Sequence, residues 1–201
     1  MIPIRPSILS ALILAACIGS VAAQRRDRIP PPRDPQFYAP RNKLEDFESR
    51  LETILVKGRT YVATLRPTAG GTARVEAMEI RDTGNSTRAT GVVVTIVATS
   101  QSGVANEIRS LIDYEEIDPL IKAFDVAAKA DDTITKLTHF EVDYRTRGDF
   151  EVIVFKQVAG GFAAGVEGGF YDRTRLLLTL DELTRLRWMV AQAKERLDEI
   201  K

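Results

Sequence analysis

Two stretches of helical period open with the same signal, and that repetition constrains the fold more than any other feature of the chain. Leu180, Leu183, Leu186, Val190, Ala193 and Leu197 recur at intervals of three and four, the spacing of one apolar helix stripe. Ile117, Leu120, Ile121, Phe124 and Ala128 do the same earlier in the chain. Aligning Glu116 with Glu182 also aligns Asp113 with Thr179, Ile117 with Leu183 and Leu120 with Leu186. Thr179-x-x-Glu182 is a capping box, in which hydroxyl and carboxylate each satisfy a backbone donor that the first helical turn leaves open. Asp113-x-x-Glu116 stands in the matching place. Pro119 sits poorly in a helix capped at Asp113, so a cap at Asp118 with Pro119 as the first helical residue is the alternative start.

Ahead of each helix lie four short segments of strand character. In the first half they cover residues 53–65, 73–81, 88–98 and 107–112, separated by Gly70-Gly71, Gly84-Asn85 and Ser102-Gly103. In the second half they cover 139–146, 150–158, 162–171 and 174–178, with Gly148-Asp149 and Gly160-Gly161 between them. Phe140, Val142 and Tyr144 alternate with Glu141, Asp143 and Arg145, the pattern of a sheet with one buried and one wet face. Residues 92–97 and 152–155 are apolar on both faces and predict covered strands. Runs of strands followed by one helix, twice over, predict an α+β fold of two ββββα repeats, each an antiparallel sheet with one helix. Each half is too small to bury a sufficient core alone, so the repeats are expected to pack as a single domain.

The N-terminus has a different grammar. Residues 1–23 place Arg5 before an apolar run and end in small residues, which reads as a secretory signal peptide. Val21-Ala22-Ala23 offers a cleavage site before Gln24, the favoured reading. Leu14-Ala15-Ala16-Cys17 is the alternative, a bacterial lipobox in which Cys17 is lipidated and tethers the chain to a membrane. Residues 24–43 are rich in Pro and Arg and read as a stiff, basic, solvated linker. Residues 44–131 then form the first repeat and 132–201 the second, and the expected location is periplasmic or secreted, or membrane-anchored through Cys17.

Composition narrows the function. The chain has 28 Lys and Arg against 28 Asp and Glu, with 44% hydrophobic residues, which fits a globular protein and argues against nucleic acid as a partner. One Cys and one His cannot make a disulfide or a multi-ligand Cys/His zinc site, so no metal and no cofactor is expected.

The stretches Asp113-Tyr114-Glu115-Glu116-Ile117-Asp118, residues 138–150 (THFEVDYRTRGDF) and Thr179-Leu180-Asp181-Glu182-Leu183 resemble exported bacterial proteins of unknown function. The doubled unit of four strands and a helix is also similar, in topology alone, to the Whirly and PUR-alpha class. That resemblance implies a fold and no activity.

No residue pattern selects a catalytic group. His139 opens a strand without an identifiable Ser or Cys partner, and no G-x-S-x-G or S-x-x-K motif is present. Glu115-Glu116 and Asp131-Asp132 read as helix capping and a solvated loop. In the segment 160–169, Gly165, Gly168 and Gly169 read as bends in a strand. Arg145 and Arg147 are the candidate binding residues, since alternation puts both opposite Phe140, Val142 and Tyr144, where two guanidinium groups can grip a carboxylate or phosphate. The competing role for them is protection of a sheet edge. The sequence therefore points to an exported, non-catalytic binding or scaffolding module of the bacterial cell envelope with an unknown envelope partner or ligand. The alternatives are a small exported hydrolase or lipid-processing enzyme, or a carrier of an apolar ligand held near Phe124, Phe155 and Trp188.

Overall fold

The chain from Asn42 onward alternates between residues that cap and residues that pair. The computed structural model describes residues 39–99, 105–170 and 173–201. The expected signal peptide, Cys17 and most of the Pro/Arg-rich stretch lie outside the described residues. A short helix α1 (Lys43–Ser49) leads into strands β1 (Leu55–Leu65), β2 (Thr72–Asp82), β3 (Thr87–Thr99) and β4 (Ala105–Asp113), then helix α2 (Tyr114–Ala127). The second repeat runs β5 (Glu141–Arg145), β6 (Glu151–Lys156), β7 (Phe162–Gly168), β8 (Thr174–Leu178) and helix α3 (Leu180–Asp198). Two antiparallel meanders result, ordered β1-β2-β3-β4 and β5-β6-β7-β8, each followed by a helix.

Both helices start where the aligned capping signals place them. The Thr179 hydroxyl accepts the Glu182 N–H at 3.1 Å, and the Glu182 carboxylate accepts the Thr179 N–H at 2.8 Å. At α2 the Glu116 carboxylate accepts the Asp113 N–H at 3.3 Å, so the cap is Asp113 and Pro119 lies inside the helix. The hydrogen bond that Pro119 cannot donate would reach Glu115, at the exposed start of α2, where water can serve the carbonyl instead.

The two sheets turn their inner faces toward one core. Ala73, Val75, Ala77, Val92, Val94, Ile96 and Ile112 from the first sheet join Val152, Val154, Ala164, Val166, Leu176 and Leu178 from the second. Leu120 and Phe124 of α2, and Leu183, Leu186, Val190 and Ala193 of α3, fill the space between them. The helix of the second repeat lies mainly across the first repeat's sheet, against β1, β2 and β3. Neither repeat encloses its own core, and the described residues form one compact unit. This agrees with the expectation that halves of this size share a core.

One element is additional to the two repeats. Helix α1 packs Leu44 and Phe47 on the outer face of the first sheet, over Met78, Ile80, Ala89, Val93 and Leu111. Its cap Asn42 accepts the Glu45 N–H at 2.8 Å and donates its side-chain amide to the Leu111 carbonyl at 2.7 Å. Asn42 and Lys43, at the end of the Pro/Arg-rich stretch, thus already belong to the fold. Covered by α1 on one side and by the core on the other, β3 buries Val92, Val93, Val94 and Ile96 completely, as its unbroken apolar run requires.

The glycines of the segment 160–169 do three different jobs. Gly165 pairs regularly with Ile153 and Leu177 and makes no bend. Gly168 lies where a Cβ would come within 2.9 Å of Ile108 and Ser110, so it marks a close approach between the sheets. Gly169 alone turns the chain, at φ 91°.

The β2–β3 hairpin is held by a buried carboxylate. Asp82 accepts the Thr53 hydroxyl at 2.8 Å, the Gly84 N–H at 2.9 Å and the Asn85 amide at 3.1 Å, and it pairs with Arg50 at 3.1 Å. These bonds, led by those of Thr53 and Asn85, hold its carboxyl well below the usual carboxylate range. A carboxyl with a lower pKa in the folded state contributes stability above its unfolded pKa, and that stability is lost as pH falls toward the folded value. The melting temperature is therefore expected to drop as pH is lowered through about 4. Asp82→Asn, which removes the titrating group, should flatten that part of the curve. Parallel melting-temperature profiles for the two proteins between about pH 6 and pH 2 would rule Asp82 out as the cause.

Candidate functional site

Cross-strand partners share a face, so the register of the second sheet assembles its outer surface row by row. One row reads Arg145, Glu151, Glu167, Arg175 across β5, β6, β7 and β8. Two glutamates directly opposite each other repel. Arg173, just before β8, resolves the conflict by reaching both: its guanidinium pairs with Glu151 and lies 2.8 Å from Glu167. Arg145 donates to Glu151 at 2.8 and 3.2 Å, and Arg175 pairs with Glu167. Both carboxylates are buried beneath three guanidinium groups. Burial, and then the charges of Arg145 and Arg175, push Arg173 below its ordinary value.

Beside this charged row the same face is apolar across β6, β7 and β8, with Asp143 and Glu141 at its β5 margin. Ile153, Gly165 and Leu177 form the next row, and Phe155 with Ala163 the one after. Ile153 is buried by its neighbours, whereas Leu177 keeps 47% of its surface exposed. Helices α2 and α3 lie on the other side of the sheet, and among the described residues no helix crosses this outer face.

The second candidate arginine goes elsewhere. Strand β5 ends at Arg145, and the turn that follows breaks the alternation that would have kept Arg147 on the same face. Arg147 instead meets the start of α2: its N–H donates to Glu116 at 2.7 Å, and its guanidinium donates to Glu115 at 3.3 Å and lies 3.8 Å from Asp113. The Glu116 charge is the chief reason its pKa is raised. Asp113 lies beneath, accepting the Lys43 and Leu44 N–H groups of α1 at 2.8 and 3.0 Å. Burial raises the Asp113 carboxyl despite those bonds. Arg145 and Arg147 therefore do not form one clamp. Arg145 belongs to the outer face, and Arg147 ties the β5–β6 turn to the start of α2.

The other residues singled out by sequence do not converge either. His139 is exposed ahead of β5. Phe124 is a core residue, Phe155 lies on the outer face of the second sheet, and Trp188 is 56% exposed on α3, so the three share no cavity. An open apolar groove of about 320 Å³ does exist between α2 and β5, lined by Pro119, Lys122, Ala123, Val126, Ala127, Val142, Asp143 and Tyr144. No local pattern marks it, because α2 and β5 are brought together only by the shared core. Among the described residues no group of three His, Cys, Asp or Glu side chains is placed to hold a metal ion, and no helix is long and apolar enough to cross a membrane. Compared with known proteins, the chain matches no family model, no curated protein and no solved structure.

Proposed function

We propose that this chain is an exported binding or scaffolding module of the bacterial cell envelope that engages its partner through the outer face of the second sheet. The observation that carries the reading is the composition of that face. An apolar strip of Phe155, Ala163 and Leu177 borders a row in which three arginines stand over two buried glutamates. Among the described residues no helix covers it. The buried carboxylates keep the guanidinium groups in fixed positions, and such preorganised planar donors suit carboxylate or phosphate groups at the rim of a partner. Export rests on the leader-like residues 1–23 and the Pro/Arg-rich stretch behind them.

Two experiments test the two halves of this reading. A photo-crosslinking residue at Leu177 in living cells should capture one discrete partner, while the same residue at the exposed Val158 captures none. A purified protein that hydrolyses esters or lipids and loses that activity with His139→Ala would replace the binding reading with the enzymatic one. For export, intact mass is measured in soluble and membrane fractions, with Cys17→Ala as control. A chain beginning at Gln24 or at lipidated Cys17 supports export, and an uncleaved chain in the cytoplasm overturns it.

A further inference from the structure

The first strands of the two sheets, β1 and β5, each leave one edge open among the described residues. In β5 the Phe140 carbonyl accepts the Lys156 N–H at 3.2 Å, and the Thr146 N–H donates to the Phe150 carbonyl at 2.9 Å. With the register between them, the backbone groups of Glu141, Asp143 and Arg145 point away from β6 to the open edge. In β1 the Ile54 carbonyl accepts the Thr83 N–H at 3.1 Å, so the backbone groups of Leu55, Lys57 and Arg59 likewise point away from β2.

The side chains of these residues lie on the outer faces. Lys57 and Arg59 pair with Ile80 and Met78, which belong to the outer cluster under α1. Glu141 and Asp143 alternate with Val142 and Tyr144, which pack on the shared core. In a strand of L-residues, the face a side chain points to, together with the chain direction, fixes the side to which its N–H and C=O point. Both edges therefore have the same hand, and two copies meeting edge to edge with outer faces aligned meet antiparallel.

The charges on these edges are opposite. Glu141, Asp143 and Arg59 make no ion pair with another described residue. Lys57 shares Glu48 with Arg109, at 3.1 and 2.8 Å, so two cations there divide one carboxylate. We infer that the β1 edge of one copy adds to the β5 edge of a second copy, with Lys57 opposite Asp143 and Arg59 opposite Glu141. In that register Val56, 53% exposed in the single chain, faces Tyr144 at the mouth of the α2–β5 groove. Backbone bonding, two opposite-charge cross-strand pairs and one apolar contact then act together. The contact joins different surfaces of identical chains, which builds head-to-tail assemblies. The inference deepens the scaffolding reading by naming a second copy as one binding partner.

The test is sedimentation of the purified full chain over a concentration series. The wild type should associate, and salt should weaken the association by screening the exposed charges. Lys57→Glu with Arg59→Glu, and separately Glu141→Lys with Asp143→Lys, should each shift association to at least tenfold higher concentration with unchanged circular dichroism. Mixing the two double variants should restore it, because each reversed edge then meets its complement. A wild type that stays monomeric overturns the inference, as does association that survives both reversals or a mixture that fails to reassemble. Crosslinking from Leu177 reads a different surface, so the wider scaffolding reading stands or falls separately.

Discussion

Gly148→Ala is expected to cost about 3 kcal/mol of unfolding free energy, the upper end of what a forced overpacking costs. Gly148 lies in the β5–β6 turn, where the second repeat presses on the first. A Cβ there would fall on the backbone carbonyl of Leu111 in β4 and within 2.6 Å of the Asn42 side-chain amide. That amide is already committed to the same carbonyl and caps α1. Neither obstacle is the free end of a flexible chain, so relief requires the turn to withdraw. Withdrawal would also pull Arg147 from Glu115 and Glu116. Gly58→Ala is the control: a Cβ at Gly58 meets nothing within 4 Å, and its effect should stay within about 0.5 kcal/mol. Urea unfolding of both variants decides the matter. A loss below about 1 kcal/mol for Gly148→Ala would mean that the turn does not seal the two repeats together.

Phe124→Ala should cost about 4 kcal/mol, within the range for emptying an aromatic site in a core that cannot collapse. Phe124 is 1% exposed and belongs to the cluster shared by both sheets and both long helices. Its removal should weaken both repeats at once. The single tryptophan, Trp188, sits on the second repeat's helix, whereas far-UV circular dichroism reports the whole chain. The two signals are expected to give coincident denaturation midpoints in the wild type and in the variant. Separate midpoints would show that the repeats unfold independently and that the common core is not a single cooperative unit.

The parts of the structure legible in the sequence are those governed by neighbours along the chain. The Thr179/Glu182 and Asp113/Glu116 boxes mark helix starts because capping involves residues three apart. The strand from 174 to 178 coincides with β8, and the paired glycines at 70–71 and 160–161 all take positive φ. No local pattern marks helix α1, because Leu44 and Phe47 supply only one turn of apolar signal and its stability comes from Asn42 and Asp113 contacts about seventy residues away in sequence. The candidate site was half legible. Alternation places Arg145 on the outer face, but its partnership with Arg173 and Arg175 depends on strand register, and Arg147 leaves the face because a turn follows β5.

Sequence alone determined the α+β class, the doubled ββββα order and the starts of the two long helices, because period and capping are local properties of the chain. Tertiary structure decided which sheet each helix covers, which carboxylates are buried beneath arginines and which edges stay open. Those depend on pairing between distant strands, where a shift of one residue would exchange the faces of the sheet, and no local pattern records that choice.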